Sequence, residues 1–158
     1  KLNLLLDTII SRCQTIRFRS FSGKQINSIF KNYLESSQIK ISKNLKLEDL
    51  ITSASGSPGQ LLNNIQLWNE LSDEITSKLD VPIKNSLEIL EASKLISEQL
   101  EIYQQICLVN LIQIIWWRKT KNIDLVKKLE NLKFHLKKSI QPRLAWEITL
   151  LKISVEDI

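Results

Sequence analysis

A chain of 158 residues with 43% apolar side chains has room for one ordinary domain or two small helical modules, and it is too apolar to remain disordered. Three Gly and three Pro argue for long helices joined by short connections and against a many-turned all-β fold. The net charge of +5 is modest but unevenly spread: Arg12 to Lys46 carries eight basic residues and one acid, Leu47 to Trp117 ten acids and three lysines, and Arg118 to Lys138 eight basic residues and two acids. Such segregation fits oriented contacts with charged partners, and it equally fits solvated helix faces.

Other classes are excluded on similar grounds. One His and two Cys, none clustered, offer no metal site. Cys13 and Cys107 lie far apart, which fits a reduced compartment better than a disulfide scaffold. No secretory signal is visible. The longest apolar run, Ile106 to Trp117, is too short for a bilayer span of roughly 20 residues. The chain starts at Lys1 inside an apolar segment and contains no Met, so it is expected to be a fragment of a longer protein.

In chain order, Lys1 to Ile10 reads as the end of a helix, and Gln14 to Phe21 alternates enough to suit one strand, which is expected either to pair with a preceding part of the protein or to lie as an extended linker. Ser22 and Gln25 have the spacing of a capping box. Ile26, Ile29, Phe30, Tyr33 and Leu34 then form the stripe of an amphipathic helix ending near Ser36. Ile39 to Leu45 reads as a polar connection. Leu47 to Ala54 is a second helix, closed by Gly56. Ser57 and Pro58 cap and open a third, with Leu61, Leu62, Ile65 and Trp68 on its buried face. Pro82 disfavours helix at Val81, which puts a module boundary between Leu71 and Pro82. A helix over Ile83 to Gln99, with Leu87, Leu90, Leu95 and Ile96, either continues or bends into an all-round apolar segment reaching Trp117. Asn122 or Asp124 starts the next helix, with Leu125, Leu129, Leu132 and Leu136 on one face and lysines over much of the rest. Pro142 opens the last.

Few residues promise chemistry on their own. Arg12 stands at an element junction, where a guanidinium fork can point outward toward phosphate oxygens. Gly56-Ser57-Pro58-Gly59 lacks the Lys-Ser/Thr ending of a P-loop and follows a helix, so it reads as a helix-turn-helix corner. Trp116, Trp117 and Trp146 stand on apolar helices, which favours core or subunit-interface packing over base stacking. Arg17 and Arg19 read as surface or interface residues. His135 has no partner base or nucleophile, so no catalytic arrangement emerges.

Three segments carry a resemblance. Leu5-Leu6-Asp7-Thr8-Ile9-Ile10-Ser11-Arg12-Cys13-Gln14 is similar to the Ser-Arg-Cys segment of clamp-loader AAA+ subunits, Leu-x-x-Thr-Ile-x-Ser-Arg-Cys-Gln. Ala54-Ser55-Gly56-Ser57-Pro58-Gly59-Gln60-Leu61 and Gln141-Pro142-Arg143-Leu144-Ala145-Trp146-Glu147 follow in the same order as in that family. Together they resemble the delta-prime subunits of bacterial DNA polymerase III. The resemblance implies an all-α fragment: residues 1–21 as the tail of an AAA+ α/β core with a remnant strand, 22–75 as a three-helix lid, and 80–158 as a collar bundle of four or five helices for oligomerisation.

The same resemblance implies a DNA-replication role without enzymatic activity of its own. Arg12 would reach the ATP of a neighbouring subunit in trans, with Ser11 and Cys13 supporting its backbone. Gly56, Ser57, Pro58 and Gly59 would form the sensor 2 corner of the lid. ATP-hydrolysing relatives place an arginine where this chain has Gly59, so its own nucleotide site would be weak or absent. No cofactor would be held by the fragment; ATP and Mg would sit in the neighbour. Gamma/tau and delta subunits would be direct partners, with the sliding clamp and primed DNA reached through the complex in the bacterial cytoplasm. Trp116, Trp117, Pro142, Arg143 and Trp146 would be collar interface candidates. The alternatives are a gamma/tau-type ATPase subunit and a stand-alone basic helical module that binds nucleic acid.

Overall fold

A computed structural model describes residues 11–14, 16, 18–36, 45–138 and 141–156. Among them are eight helices and no strand: α1 (Gly23–Ser36), α2 (Leu47–Ser53), α3 (Pro58–Glu70), α4 (Asp73–Lys78), α5 (Ser86–Gln99), α6 (Ile102–Thr120), α7 (Ile123–Lys137) and α8 (Pro142–Glu156).

Local chemistry sets most helix starts. Gln25 Oε1 accepts from the Ser22 N–H at 2.9 Å, and Ser22 Oγ accepts from the Gln25 N–H at 3.4 Å, so the expected capping box is formed. Ser57 and Ser72 accept from Gln60 N–H and Ile75 N–H, and Asn85 and Asn122 cap α5 and α7. A second capping box pairs Glu101 with Gln104. It requires extended backbone at Leu100 and Glu101, so α5 and α6 are two helices rather than one bent rod.

Packing joins these elements around one apolar cluster that runs from Ile26 and Phe30 to Leu150 and Ile153. At its centre, α6 buries Leu108, Val109, Leu111 and Ile112 completely, and it packs against α2, α3 and α7. α8 packs against both α5 and α7. Buried polar groups pin this arrangement because an unpartnered one would be penalised. Trp146 Nε1–H donates to Gln105 Oε1 at 2.9 Å, and Gln105 Nε2–H donates to Leu100 O at 2.8 Å. The chain of bonds ties the first turns of α8 to the α5–α6 corner. Trp116 Nε1–H donates to Leu79 O at 2.8 Å and fastens α6 to the end of α4. Asp49 of α2, only 4% exposed, is paired with Arg118 of α6.

The structure refines several expectations. Gln14 to Phe21 forms no strand among its described residues, which leaves the linker alternative, since a lone strand has no ladder to join. The break expected at Asp80 to Pro82 is non-helical, and an unexpected short helix, α4, started by the Ser72 cap, precedes it. α5 begins at Ser86 rather than Ile83, because Asn85 Oδ1 accepts from the Leu87 N–H. Its buried face is Ile89, Ala92, Ser93 and Ile96, and Leu87 and Leu90 point outward. The helix is apolar on two sides, and small Ala92 and Ser93 let its neighbours approach closely. Ile29 of α1 is likewise exposed, whereas Ile26 and Phe30 are buried. The helix expected at Lys1 to Ile10, Arg17, the side chains of Tyr33 and Leu34, and nearly all of the Ile39 to Leu45 connection lie outside the described residues.

Candidate functional site

The Ser11-Arg12-Cys13 segment is a turn, and all three residues are exposed. Cys13 is a free thiol. Downstream, the same stretch of chain is fastened to the corner between α2 and α3. Phe21 N–H donates to Gly56 O at 2.9 Å. Gly56 has φ +83°, and a Cβ added there would lie 2.5 Å from Ser20 Cβ and 2.9 Å from Phe21 O. Only glycine combines that backbone with so close an approach. Ser55 precedes it with φ +48°, so two successive left-handed residues reverse the chain. The chain that follows the arginine segment is thus held at the glycine corner through Ser20 and Phe21, while Arg12 itself is exposed.

Gly59 differs from Gly56. It lies in the first turn of α3, and a Cβ there would meet nothing within 4 Å. No steric reason requires glycine at this position. The corner holds no lysine, so it presents no P-loop-type phosphate clamp.

The remaining candidates separate by depth. Trp116 and Trp146 have no exposed surface and pack inside the chain. Trp117 is 39% exposed, with Lys121 Nζ 5.5 Å from its ring centroid. Pro142 is the first residue of α8. Arg143 Nε–H donates to Glu147 Oε1 at 2.7 Å, one helical turn on. Among the described residues, no cluster of three or more His, Cys, Asp or Glu side chains is placed to hold a metal ion.

Two features escaped sequence reasoning. The first is the Asp49–Arg118 pair between α2 and α6, which joins residues 69 positions apart and leaves no local signal. The second is an outward apolar stripe on α8. Leu144, Ile148 and Val155 are 43%, 44% and 70% exposed, and they follow an i, i+4, i+11 spacing on one side of the helix. α8 is apolar on both sides, and a pattern reading assigns all such residues to the core. A surface helix normally turns a polar face to water, whereas this stripe and Leu87 and Leu90 of α5 are apolar and exposed among the described residues.

A cleft of about 510 Å³ lies between α2, α6 and α7, lined in part by Ser55, Trp117, Ile123 and Lys133. Its lysine is committed: Lys133 Nζ donates to Asn110 Oδ1 at 3.0 Å and Gln113 Oε1 at 3.2 Å and pairs with Glu130. The network braces the α6–α7 hairpin rather than presenting a cation to a ligand. No described helix is long and apolar enough to cross a membrane.

Residues 24–153 match the family model described as cyanobacterial DNA polymerase III delta prime, C-terminal domain. No curated protein and no solved structure matches the chain.

Proposed function

The chain belongs to the delta-prime C-terminal domain family of DNA polymerase III, and from that premise we propose that it acts as the assembly portion of a clamp-loader subunit, lending Arg12 to the ATP site of a neighbour. Membership makes it part of a non-catalytic clamp-loader subunit that works with other DNA polymerase III subunits. The observation that carries the assembly role is the outward stripe Leu144, Ile148 and Val155 on α8, an apolar face left exposed by the described residues. A helical collar needs such a face to bind the corresponding domains of gamma/tau and delta. Trp117 and Arg143 would contribute at the edges of that contact. Trp116 and Trp146 would shape it from inside.

Arg12 is assigned its role by the Ser-Arg-Cys pattern and by its exposure at a turn. A cation placed against the transferred phosphoryl group from outside the active subunit stabilises charge that develops in the transition state, an effect worth about 10³–10⁵ in rate. The Gly56 anchor would transmit lid position to this turn. Gly59 provides no side chain for a nucleotide, which fits a subunit that completes another's site instead of running its own. The complex so assembled would open the sliding clamp and place it on primed DNA.

ATP turnover of the reconstituted loader with clamp and primed DNA tests this, using full-length subunit with and without Arg12→Ala. Turnover should fall at least 10-fold while the complex still co-elutes. Unchanged turnover in an intact complex would remove the arginine role and leave a scaffold. Failure of the unaltered subunit to join gamma/tau and delta would remove the assembly role as well.

A further inference from the structure

We propose that the outer face of α7, with the adjoining end of α6, is a binding track for single-stranded nucleic acid. This goes beyond the assembly role and shares only Trp117 with it. α7 buries Leu125, Leu129, Leu132 and Leu136. Its opposite side, residues 123, 127, 130, 134, 137 and 138, is exposed throughout. Both acids of the segment are already neutralised: Asp124 by Lys127 at 2.9 Å, and Glu130 by Lys133. No described carboxylate lies within ion-pair distance of Lys121, Lys137 or Lys138, although Lys137 lies near enough to Glu130 to help hold its carboxyl low. These three ammonium groups bracket a helix whose 15 residues span about 22 Å.

Two of the three cations are held in place. Lys121 Nζ sits 5.5 Å from the Trp117 centroid and Lys138 Nζ 4.2 Å from that of Phe134. A lysine stem ordered on a ring loses less entropy when it binds a phosphate. The rings are themselves accessible, Trp117 at 39% and Phe134 at 53%. Positive charge interleaved with exposed aromatics recognises single strands, whose bases are free to stack while the backbone follows the cations. An acidic protein surface would satisfy the charges but would have no use for the two rings.

Tryptophan fluorescence offers a local readout, because Trp68, Trp116 and Trp146 are buried and Trp117 is the exposed one. The 158-residue chain would be titrated with oligo(dT) of roughly 15 nucleotides. Binding should quench the emission, and log K should fall with log[salt] at a slope of about −2, as expected for three cations on a single strand. Lys137→Glu/Lys138→Glu should weaken binding at least 10-fold at about 50 mM salt and flatten the slope to about −0.7. Trp117→Phe should abolish the quench while anisotropy still reports binding. Circular dichroism should show that both variants remain folded. The inference is overturned by absence of binding, by binding indifferent to the lysine change, by duplex DNA binding as tightly and without quench, or by equal displacement with polyglutamate. Any of these would leave the clamp-loader reading to its own test, since none involves Arg12 or α8.

Discussion

At the scale of single residues, the two glycines of the α2–α3 corner make opposite predictions. Gly56→Ala forces a side chain into a left-handed backbone and into Ser20, and it should destabilise the fold by roughly 1–3 kcal/mol. Gly59→Ala fills open space on a helix and should stabilise by about 0.5–1 kcal/mol. Urea denaturation of the pair checks both signs at once. The buried Trp146 N–H is matched to Gln105 Oε1, so Trp146→Phe should cost at least about 1–3 kcal/mol, through the orphaned amide oxygen and the cavity left by the smaller ring. The capping box at Ser22, the Ser57 cap and the proline that opens α8 were all legible in sequence, because each depends on neighbours within three residues. The need for glycine at position 56 was only half legible. A helix-closing residue could be read, but its collision with Ser20 could not.

At the scale of elements, helix existence followed from period and punctuation, whereas the choice of buried face did not always. α7 shows the easy case: four leucines on one side, lysines on the other, and all four leucines buried. α5 and α8 show the hard one, with apolar residues on two sides each. Leu129→Ala should therefore cost about 2–5 kcal/mol, and Leu90→Ala on the outward side of α5 less than about 0.5 kcal/mol, measured by chemical denaturation of the chain alone. If Leu90→Ala costs as much as Leu129→Ala, the outward side of α5 is not a free surface. The missing strand follows the same physics: a pattern proposes a strand, but hydrogen-bonding partners make one.

At the scale of the molecule, long-range ties hold the helices in one core. Asp49 and Arg118 join α2 to α6 across the chain, and removing the arginine leaves a carboxylate with almost no solvent. Arg118→Ala should destabilise by about 3–5 kcal/mol, while replacing both partners by apolar residues of similar size should recover much of the loss. Ion pairs at the surface set the pH limits. The hydrogen bond from Lys133 holds the Glu130 carboxyl below its ordinary 4.5. Its stabilisation is present above that value and is lost as pH falls through the lowered pKa. Hydrogen bonds to Glu74 and then Glu91 raise the Lys78 ammonium above its ordinary 10.5. That contribution is present below 10.5 and disappears as pH rises through the raised pKa. Stability from these groups should thus be level near neutrality and decline at both edges. Glu130→Gln should remove the small acid-side component from a series of urea midpoints taken against pH, and midpoints that move in parallel for both proteins would contradict it.

By itself the sequence determined the all-helical class, most helix starts, the four-leucine core of α7 and the segregation of charge, because each rests on local spacing and composition. It also contained the motifs that point to the delta-prime family. Only the tertiary structure decided which sides of α5 and α8 reach the core, that Trp116 and Trp146 are internal while Trp117 is not, and that Phe21 is fastened at Gly56. Those outcomes depend on which helices meet and how closely. Contacts between residues dozens of positions apart leave no periodic trace, so they become visible only when the chain has folded.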